Sequence, residues 1–288
     1  MGDATLAIAP VAKEKGVIFT SIINSMWDAI AMSDQRVIVY PTTVEAQTYP
    51  MGTWAYEQGY RTMASIGANY AGKIGFVEGV VLGFEHAGGE VVSKIWSDVG
   101  SDDYSGYIAT MPRDVDVVLY ALEGPMAVSR FVYQAREANL DVPMITITQD
   151  GDYTPEALAE LGEAALGIPG QSAYTWQLDN PINKAFVQNI QAYNGGVLPS
   201  ASEASLYNQG KFFVEAVNQT GGDMSYDVLW KAITGLDMQT ASGRLTFEPN
   251  GVAVTDFYIT EAEYVNGEYQ LSAPLVTIPQ IRDWRITG

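Results

Sequence analysis

Residues 67–73, Gly67-Ala-Asn-Tyr-Ala-Gly-Lys73, carry the residue types of a phosphate-binding loop. In a GxxxxGK[ST] loop, glycines let backbone N–H groups close on phosphate oxygens, a lysine meets their charge, and a hydroxyl holds Mg²⁺. The segment follows the apolar run Thr62–Ile66 and precedes the helix-like Phe76–Phe84, which is the required strand–loop–helix context. The position for the hydroxyl holds Ile74. That residue separates a nucleotide-binding hydrolase from a loop whose backbone N–H groups meet a different ligand. The hydrolase also needs an acid at a second strand end, which only Glu123, after Val117–Leu122, imitates.

Other reactive chemistry is scarce. There are no cysteines, so disulfides, thiolate catalysis and Cys-ligated zinc are excluded. The one histidine, His86, sits in the turn Glu85-His-Ala-Gly-Gly89, where it reads as a surface residue near a helix C-terminus. A Ser-His-Asp triad would rest on it alone. No paired-carboxylate, nucleophile-elbow or HExxH pattern occurs. Asp150-Gly151-Asp152 starts like a Ca²⁺ loop, but the remaining spacing is missing. No cofactor and no metal are expected, and the chain reads as a non-enzyme.

Composition bounds the partners. The 288 residues are 47% hydrophobic and 17% charged, enough for two globular domains. With 34 acids against 15 bases the net charge is −19, so a nucleic-acid backbone is repelled. No run of about 18 apolar residues exists to span a membrane. The N-terminus reads as a helix under way, with Asp3 or Thr5 as its cap, and shows no basic region followed by an apolar stretch.

The elements alternate. Strands are expected at Val17–Ile22, Arg36–Tyr40, Thr62–Ile66, Glu90–Trp96, Val115–Leu122, Val142–Thr148 and Ala165–Ile168. Several are continuous apolar runs, as parallel strands covered on both faces require. Helices are expected at Glu45–Gln58, Gly72–Ala87, Tyr104–Met111, Pro125–Asn139 and Pro155–Gly162. This rhythm predicts a doubly wound α/β sheet. After residue 172 it changes to helices at Asn180–Tyr193, Ser202–Gln219 and Ser225–Thr234. Strands at Arg244–Phe247, Val254–Thr260 and Glu268–Thr277 follow, with turns at Pro249-Asn-Gly251 and Asn266-Gly267.

Residues 60–260 resemble the type I periplasmic binding proteins, in particular the branched-chain amino-acid group that feeds ABC transporters. Arg61–Gly72 resembles the family's strand and "YG" loop, and Gly83–Val92 its "G-G-E-V-V" strand entry. Asp114–Tyr120, Phe131–Leu140 and Val142-Pro143 follow its next segments in order. Asn180–Phe186, Ala204–Tyr207 and Gly243–Phe247 fit its C-terminal half. The family's opening strands and helices have no counterpart, so the chain reads as a truncated gene model or a fragment.

The resemblance implies a two-lobed α/β fold, each lobe a mostly parallel doubly wound sheet, the first lobe incomplete. Lobe 1 is expected to hold residues 1–42 and 173–252, lobe 2 residues 43–172 and 253–288, with crossings near Pro41–Thr43, Gln171–Tyr174 and Asn250–Val254. It also implies capture of a small polar ligand, an amino acid or related amide or acid, by hinge closure, and delivery to an ABC permease. The expected location is periplasmic or anchored at the cell surface. A ligand-sensing regulatory module of the same fold is the other role.

An amino acid needs donors for its carboxylate and an acid for its ammonium. By the resemblance, Ile23 and Ser25, with Asn24 between them, take the carboxylate positions after Val17–Ile22; Ser25 as a helix cap is the alternative. Asp3 stands where the family has a carboxylate-binding turn, and its charge suits a cap better. Tyr70 matches the loop tyrosine beside the ligand, although Ala71 separates it from Gly72. Glu123 either answers an ammonium or is simply solvated, and Gly124 replaces an aromatic residue often found there. Asp150, after Thr148, is the best acid for the ammonium, against a solvated turn. Tyr174, Trp176 and Tyr207 compete for one place facing the ligand, although Tyr207 also lies on an apolar helix face with Ala204 and Phe212.

Overall fold

The computed structural model describes residues 2–22, 26–148 and 153–285. The chain divides into two compact units. Unit 1 comprises residues 1–47, 173–257 and 277–288; unit 2 comprises residues 48–172 and 258–276.

Unit 1 opens with helix α1 (Gly2–Lys15), strand β1 (Phe19–Ile22), helix α2 (Asp28–Met32) and strand β2 (Val37–Tyr40). β1 and β2 pair in parallel, Phe19 opposite Val37 through Ile22 opposite Tyr40. The unbroken run Val-Ile-Val-Tyr of β2 is explained by burial on both faces. Val37 and Val39 join Ala9, Ala29 and Ile30 on one side. Ile38 and Tyr40 join Phe212, Leu229, Ile233, Leu245 and Phe247 on the other.

Helix α3 (Val44–Glu57) starts in unit 1 and ends in unit 2. Unit 2 continues with β3 (Thr62–Ala68), α4 (Ala71–Ala87), β4 (Glu90–Ser97), α5 (Ser105–Thr110), β5 (Val117–Ala121), α6 (Pro125–Glu137), β6 (Met144–Ile147), α7 (Pro155–Leu161) and β7 (Pro169–Ser172). The five strands run parallel in the order β4-β3-β5-β6-β7. β5 is buried throughout, and α6 lays Ala127, Val128, Phe131, Val132 and Ala135 inward at helical spacing. α4 approaches α3 at backbone distance: a Cβ on Gly52 would lie 2.0 Å from the Val80 carbonyl, and one on Gly83 2.0 Å from the Tyr49 carbonyl.

The chain returns to unit 1 through α8 (Pro181–Tyr193), α9 (Ala201–Gln219), α10 (Tyr226–Thr234), β8 (Asp237–Thr240) and β9 (Gly243–Phe247). Asn180 caps α8 by accepting from the Asn183 N–H at 2.7 Å, and Ser200 with Glu203 forms a capping box on α9. β10 (Ala253–Val265) pairs with β9 at its start and with β7 further on, antiparallel in both cases, before β11 (Glu268–Leu271) and β12 (Val276–Ile281).

The α/β sheet of parallel strands matches the expected fold class. Four local expectations are corrected. Ala165–Ile168 is not a strand: Gly162–Ala165 is a 3-10 turn, and the strand is β7. Glu268–Thr277 is not one strand: β11 ends at Leu271, β12 starts at Val276, and Ser272-Ala-Pro-Leu275 separates them. Thr5 is not a cap but bonds the Ser21 hydroxyl across to β1 at 3.1 Å, while Asp3 lies in the first turn of α1. Finally, residues 277–285 group with unit 1. Polar ties hold them there: the Gln280 N–H donates to Asp256 at 2.9 Å, Arg285 donates to Glu45 at 3.0 Å, and the Thr43 hydroxyl donates to Asp283.

Candidate functional site

In unit 2, β3 has β4 on one side and β5 on the other. The chain therefore winds outward from β3 to β4 and then reverses to β5. In an open α/β sheet the crevice beyond the carboxyl ends at such a reversal is the favoured ligand position. Two predicted site residues meet there. Tyr70 follows β3 and precedes α4; Glu123 follows β5 and precedes α6. The Tyr70 hydroxyl donates to Glu123 Oε2. Tyr70 is half-buried and Glu123 exposed, so the carboxylate keeps acceptor capacity for a further donor. Gly124 turns the chain into α6 at φ +82, a conformation that favours glycine, and Pro125 starts the helix.

Thr148 directly follows the neighbouring strand, β6. It is 4% exposed; its N–H bonds the Gln171 carbonyl at 2.9 Å, and its hydroxyl has no hydrogen-bond partner. Tyr153, which the sequence did not single out, is buried and bonds the buried Tyr120 hydroxyl. Its only sequence signal is an aromatic residue ahead of the Thr154-Pro155 helix start. Tyr70, Glu123 and Thr148 thus lie on consecutive strand ends of one sheet edge.

The same geometry corrects the phosphate-loop reading of Gly67–Lys73. Two residues, Asn69 and Tyr70, separate β3 from α4, too few for a phosphate cradle. Gly67 belongs to the strand, and a Cβ there would stand 2.8 Å from the Trp96 ring and 2.9 Å from a Val77 methyl. The glycine serves close packing of strand and helix. Lys73 is fully buried within α4, its amine 5.5 Å from the Phe76 ring centroid.

Tyr207, Tyr174 and Trp176 belong to unit 1. Tyr207, on α9, packs against Phe186 of α8 with tilted rings 4.6 Å apart between centroids, and lines a groove of about 310 Å³ with Lys211 and Gln239. Tyr174 is buried and donates to Asn183 at 2.8 Å, and burial, then the Glu203 charge, pushes its phenol well up. Trp176 gives its carbonyl to the Asn183 amide at 2.9 Å. His86 is exposed in the last turn of α4, beside the Tyr49 hydroxyl at 3.2 Å. Ile23, Asn24, Ser25 and Asp150, with the Asp150-Gly-Asp152 motif, lie outside the described residues. Among the described residues no cluster of three or more His, Cys, Asp or Glu forms a metal site.

A family model described as periplasmic binding protein matches residues 1–268. The chain is 23% identical over 270 residues to Leu/Ile/Val-binding protein homolog 6 of Brucella melitensis, covering 92% of this chain and 69% of that protein. Its fold is similar to that of an ABC transporter substrate-binding protein from Sphaerobacter thermophilus, with TM-score 0.89, 24% identity and coverage of 98% and 79%. It is also similar to a solute-binding protein of an ABC transporter from Rhodopseudomonas palustris HaA2 in complex with p-hydroxybenzoic acid. That match has TM-score 0.87, 21% identity and coverage of 98% and 77%.

Proposed function

We propose, from the premise that the chain belongs to the periplasmic binding protein family, that it captures a small polar ligand by closing two lobes on it and presents the closed form to an ABC permease. Membership makes the chain a solute-binding protein of ABC transporters, with an extracytoplasmic location. Among the described residues no helix is long and apolar enough to cross a membrane. The ligand we propose is an amino acid or a related amide or acid.

The observation that carries this is the Tyr70–Glu123 pair at the reversal of the unit 2 sheet. Glu123 offers a carboxylate to a ligand ammonium, Tyr70 holds that carboxylate in place, and the Tyr70 ring forms an apolar wall. A second reading has a specific support. A phenolic O–H meets the same carboxylate as well as an ammonium does, and the Rhodopseudomonas structure holds a hydroxybenzoic acid. Aromatic acids are therefore the competing class.

A thermal melt with amino acids, amides, benzoates and MgATP tests this. A ligand at a hundredfold over Kd stabilises by about 2.7 kcal/mol. A shift with an amino acid or amide, reduced at least about tenfold in affinity by Glu123→Gln, is the expected result. A shift with hydroxybenzoate alone selects the second reading, and a shift with MgATP alone sinks both.

A further inference from the structure

We propose that the open edge of β1 is a homodimer interface, on which a second copy of this chain pairs its own β1 antiparallel. The proposal concerns unit 1 alone and stands apart from the ligand reading.

Among the described strands only β2 pairs with β1. The Phe19 N–H donates to the Arg36 carbonyl at 2.9 Å, on the β2 side. Peptide groups alternate sides along a strand, so Thr20 and Ile22 turn theirs to the other edge. A helix lies over each face of β1. On one face Thr5 of α1 meets the Ser21 hydroxyl at 3.1 Å. On the other, Phe213 of α9 lines a groove of about 300 Å³ with Val17, Ile18 and Met224. The open edge is therefore the middle layer of three.

Each layer is apolar there. On α1, Ala4, Ile8 and Val11 form an exposed stripe beside the buried Thr5, Ala9 and Ala12. Val17, just ahead of β1, is half exposed. On α9, Leu206, Gly210 and Val214 follow one another at four-residue spacing, and both side chains are more than half exposed. A Cβ on Gly210 would meet nothing within 4 Å, which leaves a gap between Leu206 and Val214. None of these residues is charged, on a chain of net charge −19. Other outer strands are guarded by charge: β4 holds Lys94 to Glu78 at 2.8 Å, and β8 holds Asp237 to Arg244 at 2.6 Å. Charged outer strands resist edge pairing, and Phe19-Thr20-Ser21-Ile22 has no such guard.

The face fits a copy of itself. A two-fold axis perpendicular to the sheet reverses β1 and keeps the two helix layers on their own sides. It sets β1 against β1, the α1 stripe against the α1 stripe and the α9 stripe against the α9 stripe. Apolar meets apolar in every layer, and the gap at Gly210 takes a side chain from the partner's copy of the same stripe. Two strongly anionic chains approach each other most easily at an uncharged face.

Sedimentation equilibrium of the whole chain over a concentration series tests this. The expected result is a monomer–dimer equilibrium with a Kd of about 1 µM or tighter. It should tighten with NaCl, which screens the repulsion and spares the apolar face. Ile8→Lys with Val214→Lys should weaken the dimer at least about tenfold with an unchanged circular dichroism spectrum. Lysine also lowers the net charge, so a lost dimer reports the face and not the overall repulsion. The chain has no cysteine, so Thr20→Cys offers one thiol, near the middle of β1. A short bis-maleimide should join two such chains, whereas Asn189→Cys, on the exposed side of α8, should give no covalent dimer. A monomer at every concentration overturns the proposal, as do open-ended aggregates with no limiting dimer. So does a dimer that the paired lysines leave intact or that Asn189→Cys cross-links as well, because another face then makes it. A monomer whose β1 amides resist hydrogen exchange overturns it too, since the chain then covers this edge itself.

Discussion

At the scale of single residues, the position of a side chain decides what its chemistry is for. Lys73 has the sequence neighbours of a phosphate lysine, yet it is buried along an apolar helix. Its methylene stem packs like any core side chain. Lys73→Ala should therefore lower unfolding free energy by about 2–4 kcal/mol in a urea titration, and MgATP should leave the wild-type melt unmoved. A MgATP shift abolished by that substitution would restore the nucleotide reading. Tyr70 makes the opposite case. Its ring is half-buried and its hydroxyl donates to Glu123. Tyr70→Phe keeps the ring and frees the carboxylate, so ligand affinity should fall by roughly three- to tenfold with stability nearly unchanged. A large drop in melting temperature would instead make the pair a structural tie.

At the scale of elements, α3 and α4 reach backbone distance because each places a glycine at the point of closest approach. Gly52 and Gly83 each place a would-be Cβ 2.0 Å from a carbonyl oxygen of the opposite helix. Backbone cannot yield as a flexible side chain can, so Gly52→Ala or Gly83→Ala should separate the helices and cost about 1–3 kcal/mol or more by chemical denaturation. Wild-type stability in either variant would mean the helices sit further apart. Such contacts also bound what the sequence reveals. β2, β3 and β5 were legible because burial on both faces demands unbroken apolar runs. β7 was not: Pro-Gly-Gln-Ser has no strand pattern, and a Cβ on Gly170 would lie 2.3 Å from the Thr148 methyl, a non-local reason for the glycine. β8, Asp-Met-Gln-Thr, is equally silent. Tyr70 and Glu123 were each visible as strand-end residues, but their pairing depends on β3 lying next to β5 with β4 outside, an order no local pattern encodes. Tyr207, which the sequence places on an apolar helix face, packs against Phe186 of α8.

At the scale of the whole molecule, charge sets the response to solution conditions. Asp116 is held below its ordinary 3.8 by the Arg61 and Thr62 N–H groups, and Asp103, Asp179, Asp223 and Asp237 are lowered by their own local bonds. A depressed carboxylate adds stability above its unfolded value and loses it as pH falls through the folded one, so the acid limb begins near pH 3.8 and extends below. At the other end, burial raises Tyr40 from 10.0 to about 12 against the lowering bond from Asn208. A raised tyrosine contributes fully below 10.0 and loses that contribution as pH climbs toward 12. Between these limbs the protein carries its −19, and like charges dominate because 34 acids face 15 bases. Exposed pairs such as Arg244–Asp237 at 2.6 Å and Lys94–Glu78 at 2.8 Å are individually weak, so screening them removes little. Raising NaCl from about 20 mM to about 500 mM shortens the screening length from roughly 20 Å to roughly 4 Å, which removes the long-range repulsion first. The melting temperature at pH 7 should accordingly rise with salt and then level off. A fall would mean that the ion pairs outweigh the repulsion and that the acidic surface is organised into attractive networks.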